Sequence, residues 1–329
     1  MSNASLPPEA ARARPFYSGR TGVFAAALAV LVLAVALAAA RVGERAGALS
    51  DWQALALGLT QGLTELLPVS SSGHLILVPW AADWHYLERN DDFNQTFDVA
   101  LHLGTLVAVA LYFRRDVALL ARSFVASVGR RTIETPSERL AWFIAVATVP
   151  AIVVGALGED VIAERLGEPW QIAILLAVFG LVLWIADRSR GERRLGEIAL
   201  RDAIVIGLAQ TLALAPGVSR SGITISAARF RGLERDAAAR FSFLLLLPTT
   251  LGAVVWKGFQ DVLLSDLPPG STGPFVVGTL SAAVSGLVAI WALLGYVRRH
   301  TYSLFAVYRL IVAAIVLLLI ATGVREAGF

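Results

Sequence analysis

Two polar segments of the sequence carry the side chains that could do chemistry. In the first, residues 61–74, Gln61 and Glu65 stand four apart and therefore share one face of a helix. Pro68 ends that helix, and a serine-rich turn then leads into a second helix whose first turn holds His74. The hydroxyls and free backbone N–H groups of such a turn can bind an anion. The candidate binding residues in this segment are Gln61, Ser70, Ser71, Ser72 and Gly73.

The second polar segment, residues 215–224, contains an arginine in an otherwise apolar stretch. A guanidinium in that setting is costly unless it meets an anion, and its planar fork matches the oxygens of a phosphate. Arg220 is therefore predicted to clamp a phosphate group. The alternative is an Arg220 that pairs only with Glu65. The other candidate binding residues of this segment are Ser219, Ser221, Gly222 and Thr224.

A carboxylate, an imidazole, a guanidinium and several hydroxyls together suit phosphoryl transfer or hydrolysis, because that chemistry depends mainly on positioning and charge neutralisation. Glu65 could be a general base or a metal ligand, and His74 a base, an acid or a nucleophile. Ser71 is the alternative nucleophile. Spacing does not choose among these roles. The purely structural alternative is that Glu65 and His74 pair with each other or cap helices.

The composition places this chemistry in a membrane. Of the 329 residues, 57% are hydrophobic and 16% are charged, whereas an average soluble domain carries about 25% charged residues. The net charge is +3, but the arginines lie in short gaps between apolar runs, which is typical of topology signals and not of a nucleic-acid-binding surface. The chain has no cysteine, which excludes disulfides, thiol catalysis and cysteine-ligated metal centres.

Long apolar runs predict a polytopic helical membrane protein. Six core spans are predicted at about 99–113, 141–158, 170–187, 241–259, 274–295 and 304–322. Arginine-rich segments follow the first, third and fifth of these runs and predict the cytoplasmic side, which includes a solvated loop over residues 231–240. Residues 1–48 are predicted to form a cytoplasmic N-terminus and a retained anchor at 21–40, with a cleaved signal peptide as the alternative. Residues 49–329 form the membrane-embedded domain.

Two further apolar segments, at about 49–80 and 203–232, are broken in the middle by proline, glycine and serine. Each must begin and end on one side of the membrane if the arginine pattern is to hold, so we predict two re-entrant pairs of broken helices. The two breaks resemble each other: residues 69–73 (VSSSG) match 218–222 (VSRSG) at an offset of 149. Because one pair enters from each side, the repeat is inverted, and a site is expected near the midplane where the breaks meet.

Both motifs identify a family. Residues 61–74 (QGLTELLPVSSSGH) and 216–224 (PGVSRSGIT) resemble the two signatures of the bacterial undecaprenyl-diphosphatases of the bacitracin-resistance type, and residues 97–105, 241–243 and 308–309 are also similar. The resemblance covers about residues 50–322.

The resemblance implies a multi-pass protein of the bacterial inner membrane that hydrolyses undecaprenyl diphosphate at an outward-facing site, recycles the cell-wall lipid carrier and confers bacitracin resistance. It also implies a divalent cation, Mg²⁺ or Ca²⁺, membrane lipid as a partner and, often, a homodimer. By the same resemblance, catalytic roles pass to Glu65, His74 and Arg220, with Ser71, Ser219 and Thr224 around the diphosphate. Some members carry Glu where this chain has Gln61, so a second carboxylate that could hold the metal is absent here. Glu65 would then bind the metal alone or with a residue elsewhere, such as Asp98.

One other function fits the same observations. An inverted-repeat transporter or flippase of polyprenyl phosphate lipids would use Arg220 to bind the headgroup without cleaving it. The combination of Glu65, His74 and hydroxyls at the break favours hydrolysis. His102 lies within a predicted span and is interpreted as a helix-to-helix hydrogen-bonding residue, with a ligand-binding histidine as the alternative.

Overall fold

A computed structural model describes residues 49–84, 90–261 and 272–328 of the chain. The predicted anchor at 21–40, most of the predicted outer loop at 260–273, and His85 lie outside the described residues. The division of the chain at residue 48 therefore stays a prediction.

The described part of the chain is a bundle of eleven α-helices, and its one isolated β-bridge joins Arg193 to Leu233. The helices are α1 Asp51–Leu66, α2 Ser71–Ala82, α3 Asp91–Tyr112, α4 Arg114–Arg130, α5 Pro136–Arg165, α6 Pro169–Asp187, α7 Leu200–Gln210, α8 Arg220–Phe230, α9 Arg235–Asp261, α10 Thr272–Val297 and α11 Ser303–Ala321. Two short 3₁₀ turns, Leu195–Glu197 and Thr211–Leu214, precede and follow α7.

The prediction of six core spans is confirmed. Six helices are long and apolar enough to cross a membrane: α3, α5, α6, α9, α10 and α11. Several begin earlier than hydropathy indicates, because polar residues are part of the first turn. The clearest case is α9, which begins at Arg235 and carries an Asp236–Arg240 ion pair of 2.6 Å one turn apart. The interpretation of residues 231–240 as a solvated loop is therefore wrong for the second half of that segment.

Each predicted broken segment is a helix, a break and a second helix. The four half-helices α1, α2, α7 and α8 have 16, 12, 11 and 11 residues, fewer than the roughly 20 that a span requires. The first half-helix is fixed by close contact with α10: a Cβ on Gly62 would lie 2.0 Å from Ser285 Oγ, so only glycine fits there. This contact sets the rotation of α1 and hence the direction of Gln61 and Glu65.

The two breaks have the same backbone geometry. Ser70 and Ser219, which are 149 residues apart, are the N-cap residues of α2 and α8 and have φ values of 80° and 74°. Each serine side chain accepts a hydrogen bond from the backbone N–H three residues later, on Gly73 and Gly222 respectively. A positive φ is costly for a serine, so the sharp turn is imposed by its surroundings. The repeat in the sequence is thus a repeat of local structure, while its inverted orientation in the membrane stays a prediction.

A buried aspartate joins four helix ends at one side of the bundle. Asp187, at the end of α6, is 4% exposed and accepts a hydrogen bond from Arg235 Nε at 2.6 Å. Its second oxygen accepts the backbone N–H of Tyr302 at 2.8 Å, and Arg229 Nε lies 3.5 Å away. These contacts tie the start of α9, the cap of α11 and the end of α8 to α6.

Replacement of this carboxylate tests its structural role. We expect Asp187→Asn to lower the free energy of unfolding by about 3 kcal/mol, because it leaves the buried Arg229 charge without its partner. The measurement is the unfolding temperature of the purified protein in detergent, followed by tryptophan fluorescence. The matched control is Asp236→Asn, whose ion pairs to Arg240 and Arg298 are more exposed, and whose effect we expect to stay below about 1 kcal/mol. Equal shifts in the two variants would contradict this account.

Candidate functional site

The two breaks meet at an ion pair. Glu65, at the end of α1, and Arg220, at the start of α8, are joined by a hydrogen bond of 2.9 Å from Nη2 to Oε1. Their side chains are only 7% and 12% exposed. The second carboxylate oxygen, Oε2, accepts a hydrogen bond from Ser71 Oγ. Glu65 therefore accepts hydrogen bonds from Arg220 of the second break and from Ser71 of the first.

Backbone and hydroxyl groups also join the breaks reciprocally. Ser70 Oγ accepts the N–H of Gly217 at 3.1 Å, and Ser221 Oγ donates to the carbonyl of Leu67 at 3.1 Å. Gly73 lies at the point of contact, since a Cβ there would be 3.4 Å from Gly217 Cα. The prediction that the two breaks come together is confirmed by these contacts.

His74 lies in the first turn of α2 but pairs with a different part of the protein. Its Nδ1 is 2.7 Å from the Ser70 carbonyl, which can only accept, so Nδ1 carries the proton and donates. Its Nε2 is 2.8 Å from the hydroxyl of Tyr308, which therefore donates to it, and the two rings stack with centroids 5.6 Å apart. Both ring nitrogens are thus engaged. The alternative in which Glu65 and His74 pair with each other is wrong.

Among the residues that the structure describes, Arg309 is the largest fully buried side chain, with none of its surface exposed. Its guanidinium donates to the carbonyls of Gly217 at 2.7 Å and Val218 at 3.0 Å in the second break, and to that of Pro68 at 3.4 Å in the first. Its Nε donates to the carbonyl of Leu176 on α6 at 3.1 Å. One side chain therefore satisfies carbonyls that the two helix breaks leave free.

Gly222, a predicted binding residue, leaves room for this arginine. A Cβ at Gly222 would lie 2.9 Å from Arg309 Nη1. Thr224 is also used within the protein, because its hydroxyl contacts Ser242 Oγ at 2.8 Å and the carbonyl of Arg220 at 2.7 Å. Ser219 caps α8, and Ser72 is half-buried beside Ser71.

His102 is a site residue that the sequence interpretation missed. Its Nδ1 is 2.7 Å from the carbonyl of Asp98, which assigns the ring proton to Nδ1. Its Nε2 then presents a lone pair 3.8 Å from Glu65 Oε2. A lone histidine in an apolar span gave no spacing signal, and only the packing of α3 beside α1 reveals this contact.

Two buried polar atoms beside the ion pair have no hydrogen-bond partner in the described part of the chain. They are Oε1 of Gln61 and Nε of Arg220. The amide nitrogen of Gln61 faces Glu65 Oε2 at 3.4 Å, which turns the free oxygen away from the carboxylate. A buried acceptor and a buried donor without partners are costly, so the site has unused capacity for a polar ligand.

Comparison with known proteins identifies the family. Residues 54–315 match the family model described as bacitracin resistance protein BacA, which is well over half of the chain. The chain belongs to this family. Both broken helices, both breaks and all six spans of the described part fall within or overlap the matched segment.

Relatives share the full length of this domain. An undecaprenyl-diphosphatase of Desulforudis audaxviator is 45% identical over 273 residues, which cover 82% of this chain and 98% of that protein. An undecaprenyl-diphosphatase of Geobacter sulfurreducens is 46% identical over 266 residues, 80% of this chain and 96% of the relative. The corresponding protein of Nocardioides sp. is 42% identical over 281 residues, 84% of this chain and 98% of the relative.

The role of Arg309 in joining the breaks can be tested by Arg309→Lys. Lysine keeps the positive charge but has a single ammonium, which cannot reach carbonyls of both breaks and of α6 together. We expect the free energy of unfolding to fall by at least about 2 kcal/mol, because buried carbonyls lose their donors. The measurement is the unfolding temperature in detergent. Arg325→Lys, at a more exposed ion pair with Asp83, is the control and should change little; an unaltered Arg309→Lys would contradict the assignment.

Proposed function

We propose that the chain hydrolyses undecaprenyl diphosphate to undecaprenyl phosphate and inorganic phosphate at the junction of the two breaks. The observation that carries this proposal is the arrangement around Glu65, where one carboxylate oxygen holds a serine hydroxyl and the other holds a buried arginine. A hydroxyl on a carboxylate is a nucleophile beside its base. The Arg220 guanidinium donates to Glu65 through Nη2 and to the carbonyl of Ser242 at 3.0 Å through Nη1, which leaves Nε as its donor for a phosphate oxygen. The name shared by the relatives supports the same substrate.

Substrate binding uses the groups that lack partners. Arg220 Nε is buried and unpaired in the described part of the chain, so this edge of the guanidinium can bind a phosphate oxygen while Nη2 stays on Glu65. The N-termini of α2 and α8 both begin at the junction and add backbone N–H groups for the negative charge. The positive charge of Arg220 and these N–H groups then offset the negative charge of the diphosphate in a site that is shielded from water.

Ser71 is the nucleophile in this scheme. Its Oγ attacks the terminal phosphorus, Glu65 takes the hydroxyl proton, and the bond from that phosphorus to the bridging oxygen breaks. Undecaprenyl phosphate leaves, and Arg220 stabilises the charge on the transferred group. His74 is a poorer nucleophile here, because Nδ1 donates to Ser70 and Nε2 accepts from Tyr308.

Water completes the cycle. Glu65 first passes the proton taken from Ser71 to the departing undecaprenyl phosphate. It then accepts a proton from the water that attacks the phosphoserine and returns that proton to Ser71 Oγ as the bond from phosphorus to Oγ breaks, so inorganic phosphate leaves and Ser71 recovers its hydroxyl. His74 and Tyr308 position the start of α2, which carries Ser71, through the stacked pair. His102 Nε2 lies 3.8 Å from the same carboxylate oxygen, which is beyond hydrogen-bond distance.

A divalent cation, Mg²⁺ or Ca²⁺, is part of the proposal. The described residues contain no group of three or more His, Cys, Asp and Glu side chains that could hold a metal by themselves. Glu65 is the side chain that would hold the ion, which fits the way Mg²⁺ is bound by one or two side chains together with substrate phosphates. When bound, the ion would neutralise charge on the diphosphate. Gln61 Oε1, which points away from the carboxylate and has no partner in the described part of the chain, is left to bind substrate.

The proposed setting of the reaction rests on the arginine pattern and on the family resemblance. We propose a bacterial inner-membrane location, a site that opens to the periplasm or cell exterior, and a consequent resistance to bacitracin through recycling of the lipid carrier. A homodimer is proposed from the resemblance alone. A flippase is the second candidate, and the observation that favours it is the equal backbone geometry of Ser70 and Ser219 in the two halves of the repeat.

The experiment is phosphate release from undecaprenyl diphosphate by the purified full chain in detergent, with Mg²⁺ or Ca²⁺ and with a chelator. We expect metal-dependent release by the parent and a loss of about 100-fold or more in Ser71→Ala and Glu65→Gln, because each removes a group that acts in the transition state. The control is Thr322→Ala, an exposed hydroxyl at the end of α11, which should keep the parental rate.

The two candidate functions give opposite results. Substrate binding without any phosphate release by folded parent protein would overturn the phosphatase proposal and favour the flippase. Release at the parental rate by Glu65→Gln would place the chemistry elsewhere in the molecule.

A further inference from the structure

The helix α4 has an exposed face that the phosphatase proposal does not use. One residue, Phe113, separates α4 from the end of the span α3, and the span α5 begins at residue 136. Both ends of α4 are therefore held at the same side of the membrane. A helix between two such spans either lies along the membrane surface or projects from it. The arginine pattern predicts that this surface is the cytoplasmic one.

One face of α4 is packed against the protein. Val117 and Leu120 contact the main hydrophobic core, and Phe124 packs on Trp142 of α5 with ring centroids 4.8 Å apart. Trp142 Nε1 also donates to Ser127 Oγ at 2.9 Å. These residues recur every three or four positions and fix the rotation of the helix.

A second apolar stripe faces away from the protein. Ala121, Val125 and Val128 stand at i, i+4 and i+7, and the two valines are 69% and 50% exposed. Arg115 and Arg122, which are seven residues apart and both exposed, run along the side of this stripe. A helix with apolar residues beside a row of arginines is typical of helices that lie in the membrane interface.

The arginines point to a negatively charged partner. The side chains of Arg114, Arg115 and Arg122 form no ion pair or hydrogen bond within the residues that the structure describes. Two of them occupy the first turn of α4, where the helix dipole disfavours positive charge, and only Asp116 offsets them there. Phosphate groups of lipids at this depth would supply the missing negative charge.

We propose that α4 binds anionic phospholipid of the cytoplasmic leaflet. Ala121, Val125 and Val128 enter the boundary between headgroups and acyl chains, and Arg115 and Arg122 bind lipid phosphates beside them. This surface is separate from the ion pair of Glu65 and Arg220, and its function does not depend on the proposed reaction.

The depth of Val125 is the first test, and the absence of cysteine in the chain makes it direct. A nitroxide on Val125→Cys is measured in vesicles of phosphatidylcholine and phosphatidylglycerol, with oxygen and a water-soluble nickel chelate as relaxation agents. The references are Thr132→Cys, in the exposed loop after α4, and Val284→Cys, 61% exposed on the span α10. We expect the label at Val125 to lie about 5–10 Å below the lipid phosphates.

The charge preference is the second test. The label at Val125 is titrated with phosphatidylglycerol in detergent, and we expect the half-saturating concentration to rise about fivefold for each of Arg115→Gln and Arg122→Gln. Arg190→Gln removes one exposed positive charge outside α4 and should leave that concentration unchanged. Nickel accessibility at Val125 equal to that at Thr132 would overturn the proposal. So would shielding from both agents, which indicates a protein partner or a second copy, or an equal effect of Arg190→Gln.

Discussion

A helix that stops inside a membrane leaves backbone groups that no water satisfies, and the fold of this protein is organised around that constraint. The two breaks satisfy one another: Ser70 accepts from Gly217, Ser221 donates to Leu67, and Arg309 donates to carbonyls of both. Because each break completes the other, neither half of the repeat can form its site alone. The close packing of α1 on α10 and the ties of Asp187 then hold the half-helices in the positions that this exchange requires.

The same junction explains why the charges of Glu65 and Arg220 are tolerated in the interior of the helix bundle. Glu65 and Arg220 lie on different breaks and offset each other, so the ion pair forms only when the breaks meet. The pair is incomplete in one respect, since Arg220 Nε and Gln61 Oε1 are buried without partners in the described part of the chain. A buried ion pair adds little to stability by itself, and the two atoms without partners beside it are the groups that the proposed substrate would complete.

Much of this arrangement was predictable from the sequence, because its signals are local. Hydropathy gave the six spans, and Pro68 with the serine turn gave the first break. The match of residues 69–73 with 218–222 indicated the second break and predicted that the two breaks lie together. The contacts made by distant helices were not predictable. Tyr308 lies 234 residues from His74, and neither Arg309 nor His102 stands in a pattern that indicates its partner. From the sequence alone, the partner of Glu65 could be His74 or Arg220. The rotation of α1 directs the carboxylate to Arg220 and Ser71.

The most direct test of the account is to trap the phosphoryl group during turnover. Undecaprenyl diphosphate labelled with ³²P on its terminal phosphate is mixed rapidly with the full chain, and parallel samples are quenched in acid and in base. The account predicts protein-bound label that survives acid but not base, present in the parent and absent in Ser71→Ala. Label that survives base but not acid, as phosphohistidine does, or undiminished turnover by Ser71→Ala, would contradict it.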